Sequence, residues 1–515
     1  MRAILTLSVG ASVLDYVAAQ NSVPGMIQWQ IEKRVKLPPS GQPLHKRGQT
    51  YEEVITNERS RGGYFTTCAL GTPWQNISLQ LDTGSSDIWV PDQTASACSV
   101  SRQNPTGCDL GTFNPNKSST YQDVGRDEFN IQYVDGSHAT GDYFTDRFEI
   151  GGAHVQNVTM GLGIDTDIAY GLVGVGYALN EAIVGGTQSA ASAYPNLPVV
   201  LQEEGLINSV AYSLWLNDLD ANTGAILFGG IDTGKYQGNL TRIQMYQSSQ
   251  TRAYTAFIVA LTGLQAVSSS GSDTLTSRSF PLAAVLDSGT TLSYLPLDLA
   301  QQVWEEAGAI YASEVDLALI PCSRSTSGGH FAFQFAGQDG PIIRVGMDEL
   351  VLPLTSGQAP TFNSGPYAGQ EACEFGIQNI TGTYLLGDTF LRSAYVVYDL
   401  INNEVGIAAT DFNSTNTNLV SFASLGATIP SATLAPNQAQ ATIAPAYTTP
   451  AFNAQQGFGE TAKPSGTGTG TSGSSGKGDE NAAIRIRTPP FNASALLVKM
   501  VSVVFAVVGS SLFLP

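Results

Sequence analysis

Two short segments of this sequence are near-copies of each other, and they hold the residues best suited to chemistry. Leu81-Asp82-Thr83-Gly84-Ser85-Ser86 and Leu286-Asp287-Ser288-Gly289-Thr290-Thr291 each set an aspartate behind an apolar run. A hydroxyl residue, a glycine and a further hydroxyl follow in both. One Asp-Thr-Gly alone is an ordinary turn, because aspartate and glycine both favour turns. Two copies, 205 residues apart and each behind an apolar strand, read as the halves of one site.

The chemistry that two carboxyls can do together is amide hydrolysis. It needs a water made nucleophilic and a proton delivered to the carbonyl oxygen, later to the leaving nitrogen. Two carboxyls within hydrogen-bonding distance cannot both ionise easily, so one proton is shared and the pair holds a base and an acid. Asp82 and Asp287 are therefore the candidate catalytic residues, and the reaction calls for no metal or cofactor. Gly84 and Gly289 let backbone N–H groups approach the carboxylates. Ser85 and Thr290 are placed to donate to the outer oxygens, and Thr83 and Ser288 to tie the two loops together.

Loops this alike need stiff strands behind them. From about Gly62 to Asp411 short apolar runs alternate with glycines, as at 77–81, 144–150, 225–230 and 395–398. One stretch, 298–309, has apolar residues at near-helical spacing and reads as a helix. With 515 residues, 42% hydrophobic, 13% charged and 54 glycines, the chain reads as all-β and long enough for two lobes. A net charge of −19 argues against a nucleic-acid footprint. The four histidines form no His-Glu-x-x-His segment, and there is no Gly-x-Ser-x-Gly elbow, which disfavours a metalloprotease and a serine hydrolase.

The ends of the chain read as export signals. Residues 1–19 have Arg2, an apolar run and Val17-Ala18-Ala19, the pattern of a signal peptide. Residues 20–47 are polar and comparatively basic, and read as a propeptide ending at Lys46-Arg47; a second dibasic pair, Lys33-Arg34, leaves the cut open. Residues 412–481 are rich in Ser, Thr, Ala, Gly and Pro, and read as an extended, O-glycosylated stalk that buries no core. Residues 482–515 read as a glycosylphosphatidylinositol (GPI) anchor signal, with attachment at Asn481, a polar spacer and an apolar tail; a retained transmembrane helix is the alternative. Seven Asn-x-Ser/Thr sequons, at Asn76, Asn116, Asn157, Asn239, Asn379, Asn413 and Asn492, point to a glycoprotein. Five cysteines point to two disulfides and one free thiol: Cys98 and Cys108 are close enough to pin a loop, and Cys322 with Cys373 would close a longer one. Cys68, in an apolar run, reads as a buried small hydrophobe.

The segment Asp82 to Pro91 and the segment Asp287 to Thr291 resemble the two active-site segments of the pepsin family, within it the fungal candidapepsin and yapsin branch of the GPI-anchored type. Leu172-Val173-Gly174 and Leu385-Leu386-Gly387-Asp388 resemble the family's strands beneath each active loop, and 211–214 with 227–230 its interlobe sheet. The resemblance covers roughly 64–409. It implies a bilobal all-β fold, with lobes over 62–205 and 206–411, a substrate cleft between them and a β-hairpin flap. It implies a secreted, monomeric endopeptidase acting on proteins and peptides at acidic pH. In Gln132-Tyr133-Val134-Asp135-Gly136-Ser137, Tyr133 matches the flap tyrosine, whose phenol would close over the dyad and bond the indole N–H of Trp89. Val134 departs from the glycine usual there. Asp135 falls where candidapepsin-like enzymes carry an acid near the primary specificity pocket, although a solvated hairpin-tip aspartate fits the sequence equally. Gly136 and Ser137 complete the tip. Residues 92–112 resemble the loop that yapsins expand with acidic residues but carry only Asp92 and Asp109 as acids, so the resemblance implies hydrophobic or basic residues at the cleavage site rather than strict dibasic specificity. A catalytically silent pepsin-like binding protein or a structural wall glycoprotein would leave the paired loops unexplained.

Overall fold

The computed structural model describes residues 24–34, 63–101, 106–221, 223–313, 315–355 and 358–460. Asn481, Asn492, the signal peptide, Lys46-Arg47 and the anchor signal lie outside the described residues.

Strand Gln75–Asp82 shows how the frame is built. From Ile77 onward it is buried on both faces, as a strand between packed layers must be. It runs parallel to Gly171–Gly174, with Asp82 opposite Gly174, and that strand lies antiparallel to Ile88–Pro91. The second half of the chain repeats this arrangement. Leu282–Leu286 runs parallel to Tyr384–Leu386, which meets Ser293–Leu295 antiparallel. The outer neighbours repeat too: Ile88–Pro91 runs parallel to Ala153–Thr166, and Ser293–Leu295 to Ile377–Asn379. Duplicated loops therefore sit on a duplicated strand frame, and the whole is a mostly β, bilobal fold of the pepsin type.

A 14-stranded sheet passes through both halves. Its middle is Ala394–Asp399, Ala211–Trp215, Thr223–Phe228, Ile27–Arg34, Gly63–Leu70 and Gln75–Asp82, in that order. Ile27–Arg34 comes from the segment whose composition reads as a polar propeptide, yet it pairs on both sides and buries Trp29 and Ile31. The helix in the second half spans Leu297–Ala307 and stops at Gly308 in a left-handed conformation (φ 77°), a geometry glycine adopts at no steric cost. Two disulfides, Cys98–Cys108 and Cys322–Cys373, have Cα separations of 4.6 and 4.9 Å, within the normal range. Cys68 is a buried free thiol, and burial pushes its pKa up, which keeps it unreactive.

The stalk expected from residue 412 does not begin there. Residues 412–460 fold onto the second lobe: Leu419–Ser421 pairs with Gly230–Asp232, and Ala432–Leu434 runs parallel to Tyr236–Gln244. Phe422, Ile429, Ala435, Ala454 and Phe458 are buried, and Phe458 stacks on Phe331 with ring centroids 5.1 Å apart. Composition misleads here because the segment need not form its own core. A few apolar residues, spaced along small ones, enter a core that the lobe already supplies.

This packing makes a direct prediction. Phe458→Ala should cost about 3 kcal/mol of stability by the usual range for buried aromatic truncations. A chain ending at 411 should melt well below one ending at 460, as read by thermal denaturation. Equal melting temperatures would show that the segment is a passive tail.

Candidate active site

Asp82 closes strand Gln75–Asp82, and Asp287 follows Leu282–Leu286, so each carboxylate is aimed by a fully buried strand end. Both aspartates are completely buried. Each loop then turns back on its own carboxylate. Gly84 N donates to Asp82 Oδ1 at 2.7 Å and Ser85 Oγ donates to Oδ2. In the second loop Gly289 N donates to Asp287 Oδ1 at 2.9 Å and Thr290 Oγ1 donates to Oδ2.

The loops are cross-locked by their hydroxyl residues. Thr83 N donates to Ser288 Oγ at 3.2 Å, and Ser288 N donates to Thr83 Oγ1 at 2.9 Å. The hydroxyls pass the contact on, Thr83 Oγ1 to Leu286 O at 3.0 Å and Ser288 Oγ to Leu81 O at 3.1 Å. Four bonds thus join two strands from opposite halves of the chain and fix the carboxyls against each other. The glycines leave the room for that contact. A Cβ on Gly84 would lie 2.5 Å from Asp287 Oδ1, and one on Gly289 would lie 2.3 Å from Asp82 Oδ1.

Burial pushes both carboxyls upward. Asp82 is raised well above the usual range by desolvation first and then by the charge of Asp287. Asp287 is raised to about 6 by desolvation, against the hydrogen bonds that favour its ionised form. The two interact so closely that the titration steps belong to the pair.

The hairpin made by strands Gln122–Gln132 and His138–Ile150 carries Tyr133 at its turn. The Trp89 indole donates to the Tyr133 hydroxyl at 2.7 Å, deep in the structure. Burial raises the Tyr133 hydroxyl, and the charge of Asp82 is the next cause, so the phenol lies within the field of the dyad. Gly136 turns the hairpin with φ 89°. Asp135 Oδ1 accepts from Ser137 N at 2.9 Å and from Ser137 Oγ at 2.6 Å, so this carboxylate shapes the tip. Val134 is exposed beside it.

Further residues at the site lie outside the two aspartate loops. Asn180 Nδ2 donates to Gly84 O at 3.0 Å, and Gln80 Nε2 to Gly289 O at 3.3 Å, so an amide steadies each active loop. Asp388 is buried behind Asp287 with one oxygen unpaired, and burial raises its pKa well above the carboxylate range. Nearby, Arg392 and Glu349 form a buried ion pair, with Arg392 Nη2 also donating to Glu349 O at 2.7 Å. Asn180 lies 96 residues from its partner, beyond any local pattern. Among the described residues no cluster of three or more His, Cys, Asp or Glu is arranged to hold a metal ion.

The family model described as eukaryotic aspartyl protease matches residues 63–410. The chain is 42% identical over 440 residues to the probable aspartic-type endopeptidase OPSB of Arthroderma benhamiae, covering 84% of this chain and 86% of that one. It is 40% identical over 429 residues to the corresponding opsB protein of Aspergillus oryzae, covering 82% and 84%. Secreted aspartic protease 8 of Candida albicans is 33% identical over 377 residues, covering 73% and 82%. With two duplicated aspartate loops cross-locked at the junction of its halves, this chain belongs to the eukaryotic aspartyl protease family, the pepsin-type aspartic endopeptidases.

Proposed function

We propose that Asp82 and Asp287 are the catalytic pair and that the chain is an exported, surface-held endopeptidase most active in acid. The observation that carries the catalytic reading is the cross-lock: it holds two buried carboxyls together where like charge disfavours double ionisation. Aspartic proteases are themselves the standard example of such sharing.

In the reaction the ionised carboxyl takes a proton from a water, and the hydroxyl oxygen bonds to the substrate carbonyl carbon. The protonated carboxyl gives its proton to the carbonyl oxygen, forming a neutral tetrahedral diol. The carboxyl that took the water proton passes it to the nitrogen, the other carboxylate takes a proton from a diol hydroxyl as the C–N bond breaks, and one carboxyl is left protonated as at the start. Gly84 N–H, Ser85 Oγ–H, Gly289 N–H and Thr290 Oγ–H hold the charged form in place throughout. Tyr133, held by Trp89, covers the dyad from the hairpin. Asp135, Gly136 and Ser137 shape the cleft edge, and hydrophobic or basic side chains are accepted at the cleaved bond.

Export is supported by the relative named as a secreted aspartic protease and by the leader read from residues 1–19. The described residues contain no helix long and apolar enough to cross a membrane. Anchoring through Asn481, with the tail 482–515 removed, would place the folded body outside the plasma membrane or in the wall. The sequon asparagines Asn76, Asn116, Asn157, Asn239 and Asn413 are exposed, and Asn379 is half-buried, which favours glycosylation at the first five. A zymogen cut after Lys46-Arg47 fits better than one cut at Lys33-Arg34, because strand pairing encloses the latter backbone.

Four measurements test these readings. Peptide cleavage by the chain at pH 4 should fall by about 10³-fold or more in both Asp82→Asn and Asp287→Asn, since residues acting as a unit fail together. Activity should also decline on the alkaline side, where the pair loses the proton that burial and the charge of Asp287 hold on Asp82 well above the usual carboxylate range. A variant retaining full cleavage at pH 4 would remove Asp82 and Asp287 from the mechanism. Gly84→Ala should lose at least about 10²-fold by displacing Asp287, with the circular-dichroism spectrum unchanged. N-terminal sequencing of the mature enzyme should begin at Gly48; a start at Val35 would refute protection by the sheet.

A further inference from the structure

A second buried carboxyl pair lies beside the first active loop, and the reaction does not use it. Asp87 follows Asp82 by five residues and is fully buried. Its Oδ1 accepts from the Tyr143 hydroxyl at 3.0 Å and the Tyr194 hydroxyl at 2.8 Å, and its Oδ2 accepts from Ala182 N at 2.8 Å. Glu181, also fully buried, accepts Tyr194 N at 2.9 Å on Oε2, while Oε1 has no hydrogen-bond partner. Tyr194 thus bridges the two acids, its hydroxyl on one and its backbone on the other. The groups acting on Glu181 are Asp87 and Tyr194, those on Asp87 are Ala182, Tyr194 and Tyr143, and no basic side chain is among them.

The residues flanking this cluster reach both the first active loop and the flap. On one side, Asn180, next to Glu181, holds Gly84 O, and Ser86 Oγ donates to Tyr177 O at 2.7 Å. On the other side, Tyr143 on the flap strand packs edge-on against Phe129, centroids 5.3 Å apart, and Phe129 lies 6.3 Å from Trp89. Trp89 in turn holds the Tyr133 hydroxyl.

We propose that Asp87 and Glu181 are positioning residues that, through Tyr143 and Tyr194, lock the first active loop to the base of the flap. The lock is made with a proton on Glu181. A carboxylate at that position would face Asp87 in a dry site with nothing to balance it, and burial holds the Glu181 carboxyl up to about 9. The sign follows directly. The folded protein keeps this proton above the pH of about 4.3 at which an unfolded chain releases it, so the lock is at full strength below that pH. It weakens steadily as pH rises through neutrality towards about 9. The flap base therefore loosens on the alkaline side independently of the dyad. Catalysis enters the inference only through the proposed roles of Asp82, Asp287 and Tyr133.

The test reads structure in the full chain carrying Asp287→Asn, so that failure of the dyad reading leaves it intact. Amide hydrogen exchange over 83–91 and 129–143 is followed from pH 4 to pH 8, corrected for the intrinsic pH dependence of exchange. Protection of both segments should be lost together as pH rises. Adding Glu181→Gln, which keeps the shape without the charge, should move that loss upward by about one pH unit or more. Glu181→Ala should reduce protection already at pH 4, and Tyr143→Phe, which removes one hydroxyl from Asp87, should do so in the flap segment. In the chain with Asp287 intact, Glu181→Gln should extend the alkaline limb of the activity profile. An exchange profile unmoved by Glu181→Gln, or unmoved by Tyr143→Phe, would overturn the proposal.

Discussion

The contact between Asp82 and Asp287 is the constraint on which the rest of the structure depends. Two carboxyls packed together away from water repel one another when both are charged, so only a rigid frame can hold them there. That frame is the reciprocal bonding of Thr83 and Ser288 across the two halves, backed by strands buried on both faces. The glycines are part of the same requirement. At Gly84 and Gly289 the space a side chain would fill is occupied by the opposite carboxylate.

The protein buries other acids too, and burial raises the pKa of several of them. Asp388 has an oxygen without a partner, and burial raises Glu306 to about 8, helped by its neighbour Asp273. Arg392 with Glu349 is the exception, a buried charge matched by an opposite charge in direct contact. Leaving either of these alone would strand a charge in the interior, which is far costlier than losing an exposed pair.

The segments outside the two-lobed body are bound to it by its sheets. Ile27–Arg34 supplies an interior strand of the main sheet, and 412–460 contributes two outer strands and several buried side chains. Both had polar or small-residue composition, and both were absorbed because the body offers unpaired strand edges and apolar hollows. Asp273 illustrates the attachment, accepting from Ala454 N at 2.9 Å and from Ala451 N and Asn453 Nδ2 at 3.2 Å.

The sequence by itself determined the two aspartate loops, because the groups that donate to each carboxylate lie two and three residues after it. The apolar runs behind them and the all-β character were legible for the same reason, because strand period is local, while the hairpin tyrosine was legible only through resemblance to the pepsin family. Only the tertiary structure decided which distant groups complete the site. Asn180 on Gly84 and Tyr194 on Asp87 are contacts across 96 and 107 residues, with no spacing to announce them. It also decided that 412–460 belongs to the body, since whether a few apolar residues find a core depends on the surface they meet. Local patterns specify elements and loops, but buried contacts are specified by packing, which no single segment contains.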